Sequence, residues 1–207
     1  ANQAVQTLER YKDRLDEVTV ALSALEVEDL VTLRDVVTVL QRSEMVARIA
    51  AEIEGYIVEL GEDGRLVRLQ LEELMGGIGD DRRLVVRDYF HEEDTWHLEE
   101  ALAALSNLAD DDLVELKQVA SAVHLSDGPP DLDESLSPRG HRLLARIPRL
   151  PEGVADAIVD RFGDVQKVLR ASIEELDEVA GVGKLRAQAV KDGLSRLAEA
   201  SILDRYS

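Results

Sequence analysis

Cysteine is absent from the 207-residue sequence, and only 3% of its residues are aromatic. Without thiols the chain forms no disulfide, thiolate metal site or iron–sulfur cluster, and it has no cysteine nucleophile. So few aromatic rings offer little for stacking against single-stranded bases. No run approaches the ~20 apolar residues of a membrane helix, and no signal peptide is recognisable. These absences favour a cytoplasmic protein without a membrane partner.

The charge of the chain is unevenly distributed. Its formal net charge is −19, in an otherwise ordinary globular composition of 45% hydrophobic and 32% charged residues. Residues 141–207 contain 11 basic and 11 acidic residues, whereas residues 1–140 contain 13 and 32. The sequence therefore predicts an acidic N-terminal region and a neutral C-terminal region.

A segment rich in proline and glycine separates these two regions. It reads SDGPPDLDESLSPRG at 126–140 and shows no helical periodicity, which is typical of a linker. We therefore predict three parts: an acidic helical bundle at 1–125, a flexible linker at 126–140 and a second domain at 141–207.

Apolar residues of the N-terminal region recur at helical spacing. This spacing predicts an all-α fold, in which the first stripe faces another helix of the bundle or a helix of another subunit. The first stripe consists of Leu8, Tyr11, Leu15, Val18, Leu22 and Leu25, and the second, which stops at Gly61, of Met45, Ile49, Ile53, Tyr56, Ile57 and Leu60.

Three short stretches resemble catalytic or cofactor motifs but depart from them. GKL at 183–185 lacks the upstream glycine and the Ser or Thr of a nucleotide-binding P-loop. GGIG at 76–79 follows a helical pattern rather than a strand, so it reads as a turn between helices. HEEDTWH at 91–97 lacks the second histidine of a zinc protease helix and reads as solvated surface. The sequence therefore offers no catalytic residue and no metal site.

The most specific pattern lies near the C-terminus. Ser172 and Glu175 have the spacing of a capping box, which starts a helix. The chain then turns through Gly181-Val182-Gly183 and re-enters a helix with Lys184 and Arg186 in its first turn. Glycines permit the positive torsions of a tight turn, and the free amides at the start of the second helix suit a phosphate oxygen. We expect Val182 to point inward and hold the turn.

The run VAGVGKLRAQAV resembles the helix-hairpin-helix signature of DNA-binding proteins that do not read base sequence. It departs from that signature at Ala180, where proline is common. Such hairpins usually occur in pairs, and residues 143–163 supply a second candidate whose turn contains Arg149 and Leu150. Two packed hairpins contact a phosphate on each strand across a minor groove. Phosphate contacts carry no base information, so sequence-independent binding is expected.

The order of an acidic helical region, a linker and a tandem hairpin domain resembles the DisA family of bacterial diadenylate cyclases over all 207 residues. In that family a preceding domain joins two ATP molecules, with a divalent metal, into cyclic di-AMP through Asp-Gly-Ala and Arg-His-Arg motifs. Neither motif occurs here. The resemblance implies that this chain is a DNA sensor and spacer, not itself an enzyme and without a cofactor. It also implies that the full-length protein is a homo-oligomer which binds branched or recombination-intermediate DNA.

Two other interpretations remain open. A base-excision glycosylase also carries such a hairpin, and Asp204 lies at a suggestive distance from Gly183 for its catalytic aspartate. The glycine- and proline-rich loop of those enzymes is absent, however, and Lys184 stands one position too early for their reactive lysine. The third interpretation is a structural helical module without affinity for DNA.

Overall fold

A computed structural model describes residues 2–89, 95–124 and 128–205 of the chain, and these residues are helical almost throughout. They form no strand beyond an isolated antiparallel bridge between Thr32 and Ser135. The predicted all-α class is confirmed. The helices are α1 (Asn2–Glu28), α2 (Leu33–Leu60), α3 (Arg65–Met75), α4 (Ile78–Tyr89), α5 (Thr95–Asn107), α6 (Asp110–Leu113), α7 (Leu116–Val123), α8 (His141–Ala145), α9 (Glu152–Phe162), α10 (Val165–Arg170), α11 (Ile173–Asp177) and α12 (Gly183–Arg205).

The long helices α1 and α2 form an antiparallel hairpin. The predicted stripe of α1 faces α2, with Leu8 and Leu22 almost fully buried. The chain reverses at Asp29, which has a φ of 58°. A capping box then starts α2, since the Asp35 carboxylate accepts a hydrogen bond from the Thr32 amide at 2.8 Å. Local capping and the apolar seam therefore specify the same pairing.

The second predicted stripe is only partly buried. Helix α2 ends at Leu60, and its C-cap is Gly61, the predicted stop. Ile53 and Ile57 lie in the core, but Tyr56 and Leu60 are 41% and 42% exposed. In the last turns of α2 the stripe therefore divides, with Ile57 packed against the returning chain at Gly64 and the other two residues on the solvent side.

After α2 the chain folds back through a short 3-10 turn (Gly61–Gly64) into α3. Gly76 and Gly77 of the GGIG stretch form the predicted turn between α3 and α4, and Ile78 and Gly79 begin α4. Helices α5 to α7 pack beside the α1–α2 hairpin. Arg48 of α2 holds them there by donating hydrogen bonds to the carbonyl of Leu108 at 2.6 Å and to Asp110 at 2.7 Å.

The buried apolar residues form two clusters. The first runs from Val5 to Leu132 and the second from Leu143 to Leu194. Helices α8 to α12 surround the second cluster, where α8 with α9 and α11 with α12 form two successive helical hairpins. This C-terminal region also contacts α1 directly, since the Gln166 side-chain amide donates to the carbonyls of Glu26 and Val27 at 3.2 Å.

The segment between the two regions is held in place where the structure describes it. The amides of Leu33 and Arg34 donate to the carbonyls of Glu134 and Leu132, each at 2.9 Å, and the side chain of Leu132 is buried. The first amides of a helix have no partner within that helix, so this extended segment completes the start of α2. The later part of the segment that we predicted as a linker at 126–140 therefore makes backbone contacts with the bundle.

Candidate nucleic-acid interface

The turn between α11 and α12 has the backbone geometry that its glycines permit. Gly181 and Gly183 have φ values of 84° and 67°, in the region that side chains with a Cβ rarely adopt. Val182 between them is 3% exposed and belongs to the second core, which confirms its predicted inward orientation. The predicted capping box is also present, since the Ser172 amide donates to Glu175 at 2.8 Å. The turn is thus fixed from the inside, while both glycines face solvent.

The predicted basic residues of this turn differ in their contacts. Lys184 and Arg186 are both exposed in the first turn of α12. Arg186 donates a hydrogen bond from Nη1 to the carbonyl of Gly181 at 2.6 Å. Its guanidinium therefore lies over the turn and supports its shape, with other N–H groups left to meet an anion.

The upstream hairpin, formed by α8 and α9 and called the first hairpin below, repeats this arrangement with different residues. Arg149 corresponds in position to Gly181 and, although it is not glycine, has a φ of 62°. Leu150 corresponds to Val182 and packs, half-buried, against the second core. Pro151 stands where Gly183 stands and has no amide N–H to offer. The first turn thus presents an exposed guanidinium but fewer backbone donors than the second.

A buried polar cluster joins the first hairpin to the acidic bundle, and we call it the junction cluster: Glu26, Asp88, Tyr89 and Arg142. Arg142 of α8 forms a salt bridge with Glu26 of α1, which also accepts a hydrogen bond from the hydroxyl of Tyr89 at 2.7 Å. Glu26 is completely buried. Asp88 of α4 accepts the amides of residues 140, 141 and 142 at 2.6 to 3.0 Å.

Burial dominates the electrostatics of the junction cluster. Desolvation raises the pKa of Glu26 to about 7, although the nearby Arg142 guanidinium opposes it. Desolvation likewise raises the pKa of Asp88 to about 6 against its three backbone donors. The pKa of His141 falls to about 4, because burial and the cations Arg87 and Arg139 disfavour its protonation. Sequence reasoning missed this cluster, since each residue lies in a stretch with many other charges.

Three further sequence expectations concern metals, catalysis and membranes. Within the described part of the chain, no three His, Asp or Glu side chains converge as metal ligands. The HEEDTWH stretch lies outside the residues whose side chains are described, and so does the side chain of Asp204. No helix in the described ranges is both long and apolar enough to cross a membrane.

The chain was compared with known proteins. Residues 1–130 match the family described as the DisA bacterial checkpoint controller linker region. Proteins named DNA integrity scanning protein DisA are similar over the whole chain: 61% identical in Kineococcus radiotolerans, and 56% in Frankia alni and in Streptomyces coelicolor. The chain spans 58%, 58% and 56% of the lengths of these three relatives.

Proposed function

Because the chain belongs to the DisA family, whose linker region its residues 1–130 match, we propose that its C-terminal hairpins bind DNA without reading base sequence. The names of its relatives describe scanning of DNA integrity by those proteins. The observation that carries the proposal here is the exposed Gly181-Val182-Gly183 turn at the start of α12.

A phosphate is the ligand that this turn suits. The first amides of α12 have no partner within the helix, and the aligned peptide dipoles of its 23 residues make this end partly positive. Lys184 adds a full positive charge beside them. Arg149, Leu150 and the rest of the first turn supply the second contact, so that the two hairpins meet two phosphates.

The acidic bundle does not prevent such binding. The basic and acidic residues of 141–207 balance, and the charge of −19 lies entirely in residues 1–140. A few oriented donors bind a phosphate locally, whereas the acidic bundle repels duplex DNA from its own surface. DNA is therefore confined to the hairpin end of the molecule.

In a longer protein of the DisA family, we propose that this chain acts as sensor and spacer for a diadenylate cyclase, with branched DNA as the signal. The junction cluster supports this role. Arg142 lies in the first hairpin and Glu26 near the end of the 27-residue helix α1, so a displacement of the hairpins acts on a long helix of the bundle.

Binding to a four-way DNA junction at several salt concentrations tests the proposal. Gly183→Asp places a negative charge where the phosphate is expected, and we expect it to weaken binding at least tenfold, because it replaces attraction by repulsion. Lys184→Gln removes about one phosphate contact, so the slope of log affinity against log salt falls by roughly one unit.

Two control variants make the same substitutions away from the turn, so that an effect on DNA binding can be assigned to the turn itself. Gly77→Asp introduces the same side chain at another positive φ, in the turn before α4, where a Cβ also meets nothing within 4 Å. Lys117→Gln removes an exposed lysine of the bundle. Both controls should bind as the parent does. Equal binding by folded Gly183→Asp would show that this turn does not contact DNA, and no binding by the parent would favour a purely structural helical module; either result would overturn the proposal.

A further inference from the structure

Leu185 is a large apolar side chain in an unusual place. It is 89% exposed, more than any other large hydrophobic side chain in the described part of the chain. The neighbouring apolar positions of α12, Ala187 and Val190, are buried in the second core. Leu185 thus adds nothing to the packing of the hairpin that carries it.

Its position sets it beside the proposed phosphate contact. Leu185 is the third residue of α12 and follows Gly183 and Lys184. The Arg186 side chain is drawn back onto the carbonyl of Gly181, so it does not cover the leucine. The side chain therefore projects from the surface that a phosphate at the turn would bring to DNA.

The first hairpin has no counterpart to it. Gly153 is the second residue of α9 and follows Pro151 and Glu152, as Leu185 follows Gly183 and Lys184. At this position of the helix, only the second of the two hairpins therefore presents a large apolar side chain. That asymmetry suits one feature of the DNA rather than a regular duplex with its repeating backbone.

We propose that Leu185 inserts between base pairs at the branch point of junction DNA and thereby determines the preference for branched over linear DNA. This inference rests on the proposed function. A single phosphate is chemically the same on both kinds of DNA, so one phosphate contact at the turn does not by itself distinguish them. Insertion of an apolar side chain removes it from water but requires that a base step be unstacked. At a branch point stacking is already interrupted, so the same insertion costs less there.

The test compares affinities for a four-way junction and for a linear duplex of the same sequence. Leu185→Ala should lower affinity for the junction about tenfold, equivalent to about 1.4 kcal/mol, and affinity for the duplex less than about twofold. Leu185→Met keeps a long apolar side chain and should bind both DNAs as the parent does. Leu66→Ala is the matched control, since Leu66 of α3 is 75% exposed in the other region.

A second readout reports insertion itself. With 2-aminopurine at the branch point, fluorescence should rise on binding of the parent and of Leu185→Met but not of Leu185→Ala at saturating protein. If Leu185→Ala leaves the ratio of the two affinities unchanged while Gly183→Asp still weakens binding at least tenfold, the proposed insertion is wrong and the proposed phosphate contact is supported. If the parent binds neither DNA, both are wrong.

Discussion

The carboxylate of Asp88 accepts a hydrogen bond from the backbone amide of His141 at 2.6 Å. The two residues belong to different regions of the chain, since Asp88 lies in α4 of the acidic bundle and His141 begins α8 of the first hairpin. A helix normally takes its N-terminal cap from the residue just before it. Here that residue is Gly140, which has no side chain, and the cap comes from the bundle.

Asp88→Ala should destabilise the chain by about 3 kcal/mol, because three buried amides lose their acceptor and Arg142 loses a nearby negative charge. Urea unfolding followed by circular dichroism measures this change. Glu73→Ala removes an exposed carboxylate of α3 and should change stability by less than about 0.5 kcal/mol. A stability of Asp88→Ala equal to that of the control would show that the cap contributes nothing.

The second prediction concerns the pH dependence of stability. The pKa of Glu26 is raised from 4.5 to about 7, so the folded chain binds this proton more tightly than the unfolded chain. Its contribution is complete below pH 4.5 and is lost as pH rises through 7. The stabilising contribution of Asp88 is likewise lost as pH rises from 3.8 through about 6. That of His141 has the opposite sign of pH dependence, since it is lost as pH falls from 6.5 through about 4.

Above pH 6.5 the pH dependence of stability therefore comes mainly from Glu26. We expect the free energy of unfolding of the parent to fall as pH rises from 6.5 to 7.5, and that of Glu26→Gln to fall less, because glutamine does not titrate. Urea titrations at half-unit pH steps measure both slopes. Equal slopes for the two proteins would contradict the raised pKa of Glu26.

The third prediction concerns the contact between the two hairpins at Gly193 of α12. A Cβ at this position would lie 2.9 Å from Cγ1 of Ile147, which is buried in the second core. Alanine in a helix interior gains about 1 kcal/mol over glycine, but forcing a buried neighbour aside costs about 1 to 3 kcal/mol. We therefore expect Gly193→Ala to be destabilised by about 1 kcal/mol in thermal or urea unfolding.

The control for this variant is Gly55→Ala in the exposed face of α2, where a Cβ meets nothing within 4 Å. It should be stabilised by about 0.5 to 1 kcal/mol. If both alanine variants gained stability equally, the hairpins would not be packed as tightly at Gly193 as the distance indicates.

The features that the sequence predicted correctly depend on neighbouring residues. The Ser172–Glu175 capping box, the end of α2 at Gly61 and the inward Val182 follow from residues within one turn of each other. Their physical causes, a side-chain cap, a positive φ and an apolar side chain between glycines, act over a few positions and are visible in the sequence.

The features that escaped prediction depend on residues brought together by the fold. Arg142 and Glu26 stand 116 positions apart, and among so many charged residues their pairing has no local signal. The segment from 131 to 140 contacts the bundle largely through backbone hydrogen bonds, such as those donated by the amides of Leu33 and Arg34, and backbone groups leave little signal in the residue types. The role of the hairpin residues in binding DNA remains a prediction.

The last prediction uses the left-handed residue of the first hairpin. Arg149 has a φ of 62° and an exposed side chain. This torsion costs a residue with a Cβ about 1 to 2 kcal/mol, whereas glycine at the same place costs about 0.5 to 1 kcal/mol of additional unfolded-state entropy. The two effects nearly cancel, so Arg149→Gly should keep the stability of the parent to within about 1 kcal/mol.

We expect Arg149→Gly to change the binding of DNA rather than the stability of the chain. If the guanidinium of Arg149 contacts a phosphate, Arg149→Gly lowers the slope of log affinity against log salt by roughly one unit, and Arg149→Lys keeps the slope because it keeps the charge. Titration of junction DNA at four or more salt concentrations, with circular dichroism of each variant, measures both properties. Arg149→Gly thus removes the charge and leaves the turn intact, because glycine adopts a positive φ without strain. A slope for Arg149→Gly identical to that of the parent would show that the guanidinium of Arg149 contacts no phosphate, and the proposed second contact would lose its charged residue.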